Sequence, residues 1–294
     1  MKSIAILYIC TGKYSVLWKE FYESFEERFL PSQRKEYFVF TDAQSIEYQN
    51  VSSNIHLVHQ EALEWPYGTL LRFHMFNKIK EELSSFDYVF FFNANSFLVK
   101  TITEDMILPR KELGEDICVV KHSFYRNKKP YEFPYDRNYK CKAFIPYWRG
   151  KLYVQGSLIG GTADGFLKMS QVISNQTDSD LANGIIAKWH DESYLNKYIL
   201  KRKDYRLLDV SYAYQRMDNA ESAIIWLRPK SLYFDIDRFK SNPNSSNLSV
   251  FNDKLNTLIE KYLSRRDDIK SDYKTLKIEK GLFYAFIWRI KHLV

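Results

Sequence analysis

Apolar positions fall along this chain in two alternating rhythms. Residues 4–10 (IAILYIC), 36–42 (EYFVFTD), 54–59 and 88–92 (YVFFF) are short, nearly continuous apolar runs rich in β-branched and aromatic side chains, the pattern of strands buried on both faces. Between them the spacing widens to three or four. Leu17, Phe21, Phe25 and Phe29 follow the first run, and Leu70, Phe73, Phe76, Ile79 and Leu83 lie within residues 65–83; each set is the stripe of an amphipathic helix laid on a sheet. Residues 117–121 read as a further strand, and 164–175 and 179–189 as helices. Strand and helix alternating in this way predict an α/β domain, a mixed and mostly parallel sheet flanked by helices.

The run 88–92 stops abruptly at Asn93-Ala94-Asn95 before apolar residues resume. This triplet therefore stands at the carboxyl end of a strand, the edge of an open α/β sheet where ligands bind. Two amides around a small residue offer donors and acceptors but no charge. The same triplet is also an ordinary turn, because Asn tolerates left-handed backbone and bonds its own main chain. Residues 153–162 (YVQGSLIGGT) contain Gly156, Gly160 and Gly161, which let backbone approach a ligand closely. Residues 189–196 (WHDESYLN) gather His190, Asp191 and Glu192. On its own that cluster is equally an acid/base pair, a metal site or the solvated end of a helix.

Taken together, the triplet, the glycine-rich stretch and WHDESYLN resemble glycosyltransferase family 6, the family of the histo-blood-group A and B transferases and the α-1,3-galactosyltransferase. The family motif WHDESHLN differs from this chain at one position in eight, and the resemblance runs from about residue 4 to about residue 209. It implies a GT-A-type nucleotide-sugar-binding fold. Where the family has an Asp-Val-Asp that binds manganese, this chain has Asn93 and Asn95, like the bacterial branch with its Asn-x-Asn.

Carried over position by position, the resemblance implies a donor site of Ile9, Thr11 and Tyr14 at the uridine, with Arg72 reaching the nucleotide and Asn93, Ala94 and Asn95 at the strand end. Gln155 and Ser157 stand at the two positions that choose between galactose and N-acetylgalactosamine; Gln155 departs from the family, and the small Ser157 leaves room for an acetamido group. Glu192 becomes the catalytic carboxylate on the β-face of the transferred sugar, beside the acceptor, and Asp191 positions the donor's hydroxyls. His122, in His-Ser-Phe-Tyr where the family has His-Pro-x-Phe-Tyr, becomes an acceptor contact. Lys230, in Arg228-Pro-Lys, is a candidate to close over the diphosphate.

Neutral amides bind hard cations poorly, so no divalent metal is expected as a cofactor; backbone amides and the side chains of Arg72 and Lys230 are expected to replace it. The implied activity is a retaining transfer of N-acetylgalactosamine from UDP-GalNAc, in α-1,3 linkage, to the galactose of a Fucα1-2Gal oligosaccharide. Transfer of galactose from UDP-Gal stays open as an alternative, as does a carbohydrate-binding protein without turnover.

Composition narrows this little further. At 294 residues the chain suffices for one large α/β domain. Its formal charge of +7 suits nucleic acid, an anionic membrane or an anionic small substrate, but no nucleic-acid-binding module accompanies it. Cys10, Cys118 and Cys141 lack metal-ligand spacing and read as reduced buried thiols. The N-terminal apolar run is too short for a signal peptide, and no stretch approaches the roughly 18–20 apolar residues of a membrane span. Animal members carry a membrane anchor and stem, whereas this chain is expected to be unanchored and cytoplasmic. The catalytic domain is expected over residues 1–240, followed by a polar linker (241–249) and a basic helical extension to 294. The amphipathic end of that extension suits either peripheral membrane contact or packing on the domain.

Overall fold

In the structure, a computed structural model, residues 1–125, 128–216 and 222–234 are described. The chain divides into two units, Met1–Asn244 and Ser245–Val294. The expected linker and helical extension lie outside the described residues.

The apolar runs form strands β1 (Ser3–Ile9), β2 (Arg34–Thr41), β3 (Ile55–His59) and β4 (Tyr88–Phe92), followed by β5 (Ser96–Leu98), β6 (Ile117–Lys121), β7 (Val154–Thr162), β8 (Tyr205–Leu208) and β9 (Ile225–Leu227). Seven of them make one sheet in the order β3-β2-β1-β4-β7-β6-β8. Its neighbours pair in parallel except at β7, which runs against both β4 and β6. This is the expected mixed, mostly parallel sheet. Strands β5 and β9 form a separate antiparallel pair.

Alternation along β1 sorts its side chains into two cores. Ile4, Ile6 and Tyr8 meet Trp18, Phe21 and Phe25 of helix α1 (Trp18–Arg28), whereas Ala5 and Leu7 face the opposite layer with Phe73, Phe76 and Phe166. Strand β4 divides likewise, Phe90 and Phe92 to the first core and Phe91 to the second. Residues with period two on both faces and no polar interruption are what a buried central strand requires.

Three expected helices turn out differently. Residues 65–83 form three short pieces, α2 (Tyr67–Leu70), α3 (Arg72–Asn77) and α4 (Lys80–Leu83), not one helix. Leu70, Phe73, Phe76 and Ile79 recur every third residue; that spacing stays on one face only where turns tighten towards three residues each, and the breaks fall at Leu71 and Ile79. After α5 (Glu104–Ile107), the helices expected at 164–175 and 179–189 become one helix, α6 (Ala163–Leu181), which ends before Gly184 at φ 68°. The WHDESYLN motif supplies the next helix, α7 (His190–Ile199). Among the described residues no helix is long and apolar enough to cross a membrane.

Gly160 of β7 sits opposite Phe90 of β4, and a Cβ built there would lie 2.0 Å from Phe90 Cδ1. Gly160→Ala is therefore expected to lower stability by about 1–3 kcal/mol through overpacking, read as a lower urea midpoint at unchanged slope. An unchanged midpoint would show that the Phe90 ring can yield.

Candidate active site

The chain leaves β1 towards β2 on one side and returns through β4 on the other, so the sheet order reverses between β1 and β4. A crevice opens outside the carboxyl ends of strands at such a point. Here it is a cavity that gathers Ile9 at the end of β1, Thr11 and Tyr14 beyond it, Arg72 from α3, Asn93 and Ala94 after β4, and Lys230. These are seven of the residues singled out in the sequence. The wall made by Leu63, Trp65, Pro66, Gly68 and Thr69, which runs from a loop into α2, was not anticipated, because the periodic apolar positions begin only at Leu70.

Arg72 joins this cavity to the WHDESYLN motif. It is 8% exposed, and its Nη1 donates to the Asp191 carboxylate and to the Gly156 carbonyl, each at 2.7 Å. Its guanidinium lies 4.3 Å from the centre of the Phe91 ring, a cation–π contact on β4. The Gly156 N–H, on the other side of the same residue, donates to Glu192 Oε2 at 2.8 Å. Tyr153, which the sequence reading did not single out, donates its hydroxyl to Glu192 Oε1 at 2.7 Å. Space at 156 is tight: a Cβ there would come within 3.3 Å of Asp191 Oδ2 and 3.4 Å of Arg72 Nη1.

The strand presents Gly156 in this way because its pairing with β6 slips. Val119 pairs with Ile159 but Val120 with Gln155, so residues 156–158 bulge from the ladder, a device that re-aims backbone beside functional sites. Gln155 and Ser157 lie two residues apart and share one strand face. Both are buried, and Gln155 Oε1 and Ser157 Oγ have no hydrogen-bond partner among the described residues.

The other motif residues fix α7 in place. Asn196 accepts from the Val154 N–H and donates to the Val154 carbonyl, both at 2.9 Å, pairing with β7 as another strand residue would. Ser193 Oγ accepts from the Trp189 N–H at 2.9 Å, and the Tyr194 hydroxyl donates to buried Asp180 at 2.8 Å. His190 has a left-handed φ of 49° and sets its ring edge-on to Trp65.

Electrostatics follow from the enclosure. Glu192 is half-buried as a residue, but its carboxyl end is closed in by Tyr153, Gly156 and Asp191. Burial, offset in part by the two hydrogen bonds, pushes that carboxyl up to about 7. Burial also pushes Asp191 up, and Arg72 opposes it. His122 packs on Tyr125 and on Tyr153, and burial brings it down to about 4, so it is neutral at ordinary pH. Its Nδ1 accepts from the Phe124 N–H at 3.3 Å, which assigns the proton to Nε2 and leaves an N–H donor on the other ring edge.

At the triplet, the turn and ligand-edge readings coexist. The Ser96 N–H closes a turn on the Asn93 carbonyl at 2.9 Å, while Asn93 and Ala94 line the cavity. Asn95 is not part of that lining; its side chain donates to the Arg228 carbonyl at 2.7 Å. Lys230 lies over the Tyr14 ring, 4.8 Å from its centre. Of the aromatic residues in the loop 128–150, Tyr135 is buried, and Tyr131, Tyr139, Tyr147 and Trp148 are exposed. Arg137 ties this loop together through the carbonyls of Ile145 and Pro130. All three cysteines are free and buried, as expected.

The family model described as Glycosyltransferase family 6 matches residues 2–234. The chain is 35% identical over 223 residues to the O-antigen biosynthesis glycosyltransferase WbnI of Escherichia coli, covering 76% of this chain and 93% of that protein. It is 28% identical over 220 residues to the rat (Rattus norvegicus) histo-blood group ABO system transferase 2, covering 73% of this chain and 64% of the relative. With the globoside alpha-1,3-N-acetylgalactosaminyltransferase 1 of Gallus gallus the identity is 27% over 221 residues, 71% of this chain and 61% of the relative. Both animal matches thus span less than two thirds of the relative's length.

A carboxyl raised in the folded state contributes stability below its unfolded value and loses it as pH rises through the folded one. For Glu192 the window runs from the ordinary 4.5 up to about 7. Glu192→Gln should therefore be more stable than the native chain above that window, by about 1–3 kcal/mol, with the gain vanishing towards its lower end. Melting both proteins across this range checks it; a variant no more stable at high pH would mean that Glu192 ionises without strain.

Proposed function

This chain belongs to glycosyltransferase family 6, and on that premise we propose that it transfers N-acetylgalactosamine from UDP-GalNAc, with retention and without a metal ion, to the 3-hydroxyl of galactose in a Fucα1-2Gal oligosaccharide. That it is a glycosyltransferase follows from the family. The observation that carries the finer reading is the Glu192 carboxylate, held by Tyr153 and Gly156 and linked through Gly156 to the Arg72 that lines the cavity.

In this reading UDP occupies the cavity, with uridine against Ile9, Thr11 and Tyr14. Arg72 and Lys230 then meet the negative charge that grows on the departing diphosphate, in a site whose dipoles are already oriented. Glu192 meets the positive charge that develops at the anomeric carbon, on the β-face of the sugar, as carboxylates do in retaining glycosidases. The free Nε2–H of His122 donates to a hydroxyl of the acceptor galactose. Tyr153, packed between His122 and Glu192, keeps acceptor and carboxylate in one arrangement.

Two observations support the finer choices. The unpartnered Gln155 Oε1 and Ser157 Oγ suit a sugar that brings its own polar group, and an acetamido N–H is a fitting donor to Gln155. Asn93 and Asn95 offer no carboxylate where manganese would need one.

The test is sugar transfer to 2'-fucosyllactose with UDP-GalNAc and UDP-Gal in parallel under EDTA. The expected product carries N-acetylgalactosamine and forms under chelation. Transfer of galactose alone would overturn the donor assignment, and activity only with manganese restored would overturn the metal-free assignment. Because Glu192 must be ionised to act, turnover should fall as pH drops through about 7. Glu192→Gln should lose about a hundredfold or more without regaining it at high pH; substantial residual transfer would remove Glu192 from the chemistry.

A further inference from the structure

The second asparagine of the triplet is committed elsewhere than to the cavity. Asn95 is 8% exposed and faces the end of β9. The Arg228 N–H donates to the Asn95 carbonyl at 3.0 Å, and Asn95 Nδ2 donates to the Arg228 carbonyl at 2.7 Å. This closed pair extends the β5–β9 ladder by one step beyond Ser96 and Leu227. Its second bond, however, comes from a side chain. Asn95 Oδ1 is buried too and accepts nothing among the described residues, so this position uses the donor half of its amide.

The segment so held leads directly into the cavity. Arg228 is 4% exposed, ion-paired to Glu20 of α1 and seated against the rings of Phe97 and Tyr233. Pro229 follows at φ −59°, a residue with little freedom to absorb a displacement. Lys230 comes next and lines the cavity. An error in the register of Arg228 is therefore passed on to Lys230.

We propose that Asn95 is a positioning residue: its side-chain amide clasps Arg228 and thereby sets Lys230 against the diphosphate of the bound nucleotide. This rests on reading the cavity as the UDP site. An aspartate would place two acceptors 2.7 Å apart with no proton between them, so the clasp opens. A metal-binding carboxylate and the clasp exclude each other at this position, which gives the asparagine a duty of its own and not merely the loss of a ligand.

The experiment measures binding of UDP and of uridine to the full chain under EDTA, for the native protein, Asn95→Asp, Asn95→Ala, Lys230→Ala and the two double variants. Each single variant is expected to weaken UDP about tenfold or more and leave uridine within about twofold. Each double variant should bind UDP no more weakly than Lys230→Ala alone, since placing an absent lysine has no value. Additive losses would overturn the clasp, because they mean that Asn95 meets the diphosphate itself; a bare charge effect of the aspartate would also add, which the alanine variant separates. Recovery of Asn95→Asp by manganese would overturn it in favour of a metal-ligand position. Lys230→Ala weakening UDP while both Asn95 variants bind normally would overturn the inference alone. A native chain that does not bind UDP would overturn the cavity reading and the inference together. If Asn95→Asp folds poorly, as judged by melting, Asn95→Ala is held to the same outcomes.

Discussion

The buried pair of Arg72 and Asp191 is the contact on which the site depends. A guanidinium and a carboxylate removed from water carry a large desolvation cost, which their attraction offsets only when geometry is good and the remaining polar groups are satisfied. Here the guanidinium also has the Gly156 carbonyl and the face of Phe91. Removing either partner would leave an uncompensated charge, a loss of about 3–5 kcal/mol. The pair ties α3, β4, the bulge of β7 and the start of α7 to one point, so the cavity and the Glu192 carboxyl cannot drift apart independently.

Gly156 makes that connection with one peptide backbone. Its carbonyl is drawn to the cation and its N–H to Glu192, and both demands are met because the ladder to β6 slips at this residue. Without the bulge these groups would have been consumed by sheet pairing. On either side of Gly156 the backbones stay paired, Gln155 with Val120 and Ser157 with Asn93, while the side-chain atoms Gln155 Oε1 and Ser157 Oγ have no partner among the described residues. Glu192 is thus held by two neutral donors, the Tyr153 hydroxyl and the Gly156 N–H, within an enclosure that resists its charge.

The sheet supplies the rigid base. Ile4 to Leu7 and Tyr88 to Phe91 pair in register, and side chains pack on both faces without polar interruption. The turn that follows β4 inherits that rigidity. Asn93 is fixed to Ser157 by its backbone N–H, and the Ala94 carbonyl accepts from Tyr8 at 3.1 Å. A cavity wall made of such backbone is pre-organised, and its polar groups need no reordering when a ligand enters.

The sequence alone determined β1 to β4 and β6, because continuous apolar runs of β-branched and aromatic residues have few other uses, and it singled out residues 189–196 through a motif of eight residues. It also marked the cavity lining at Ile9, Thr11, Tyr14, Arg72, Asn93, Ala94 and Lys230. It misjudged residues 65–83, where a spacing of three signalled tightened turns, and residues 179–189, where Gly184 ends the helix. What only the tertiary structure decided were the partners: Tyr153 with Glu192 across 39 residues, Asn196 with Val154 across 42, and Asn95 with Arg228 across 133. Local periodicity reports which face of an element is buried. It carries no information on which distant donor meets which acceptor, because that is fixed only when the sheet order brings the strand ends together.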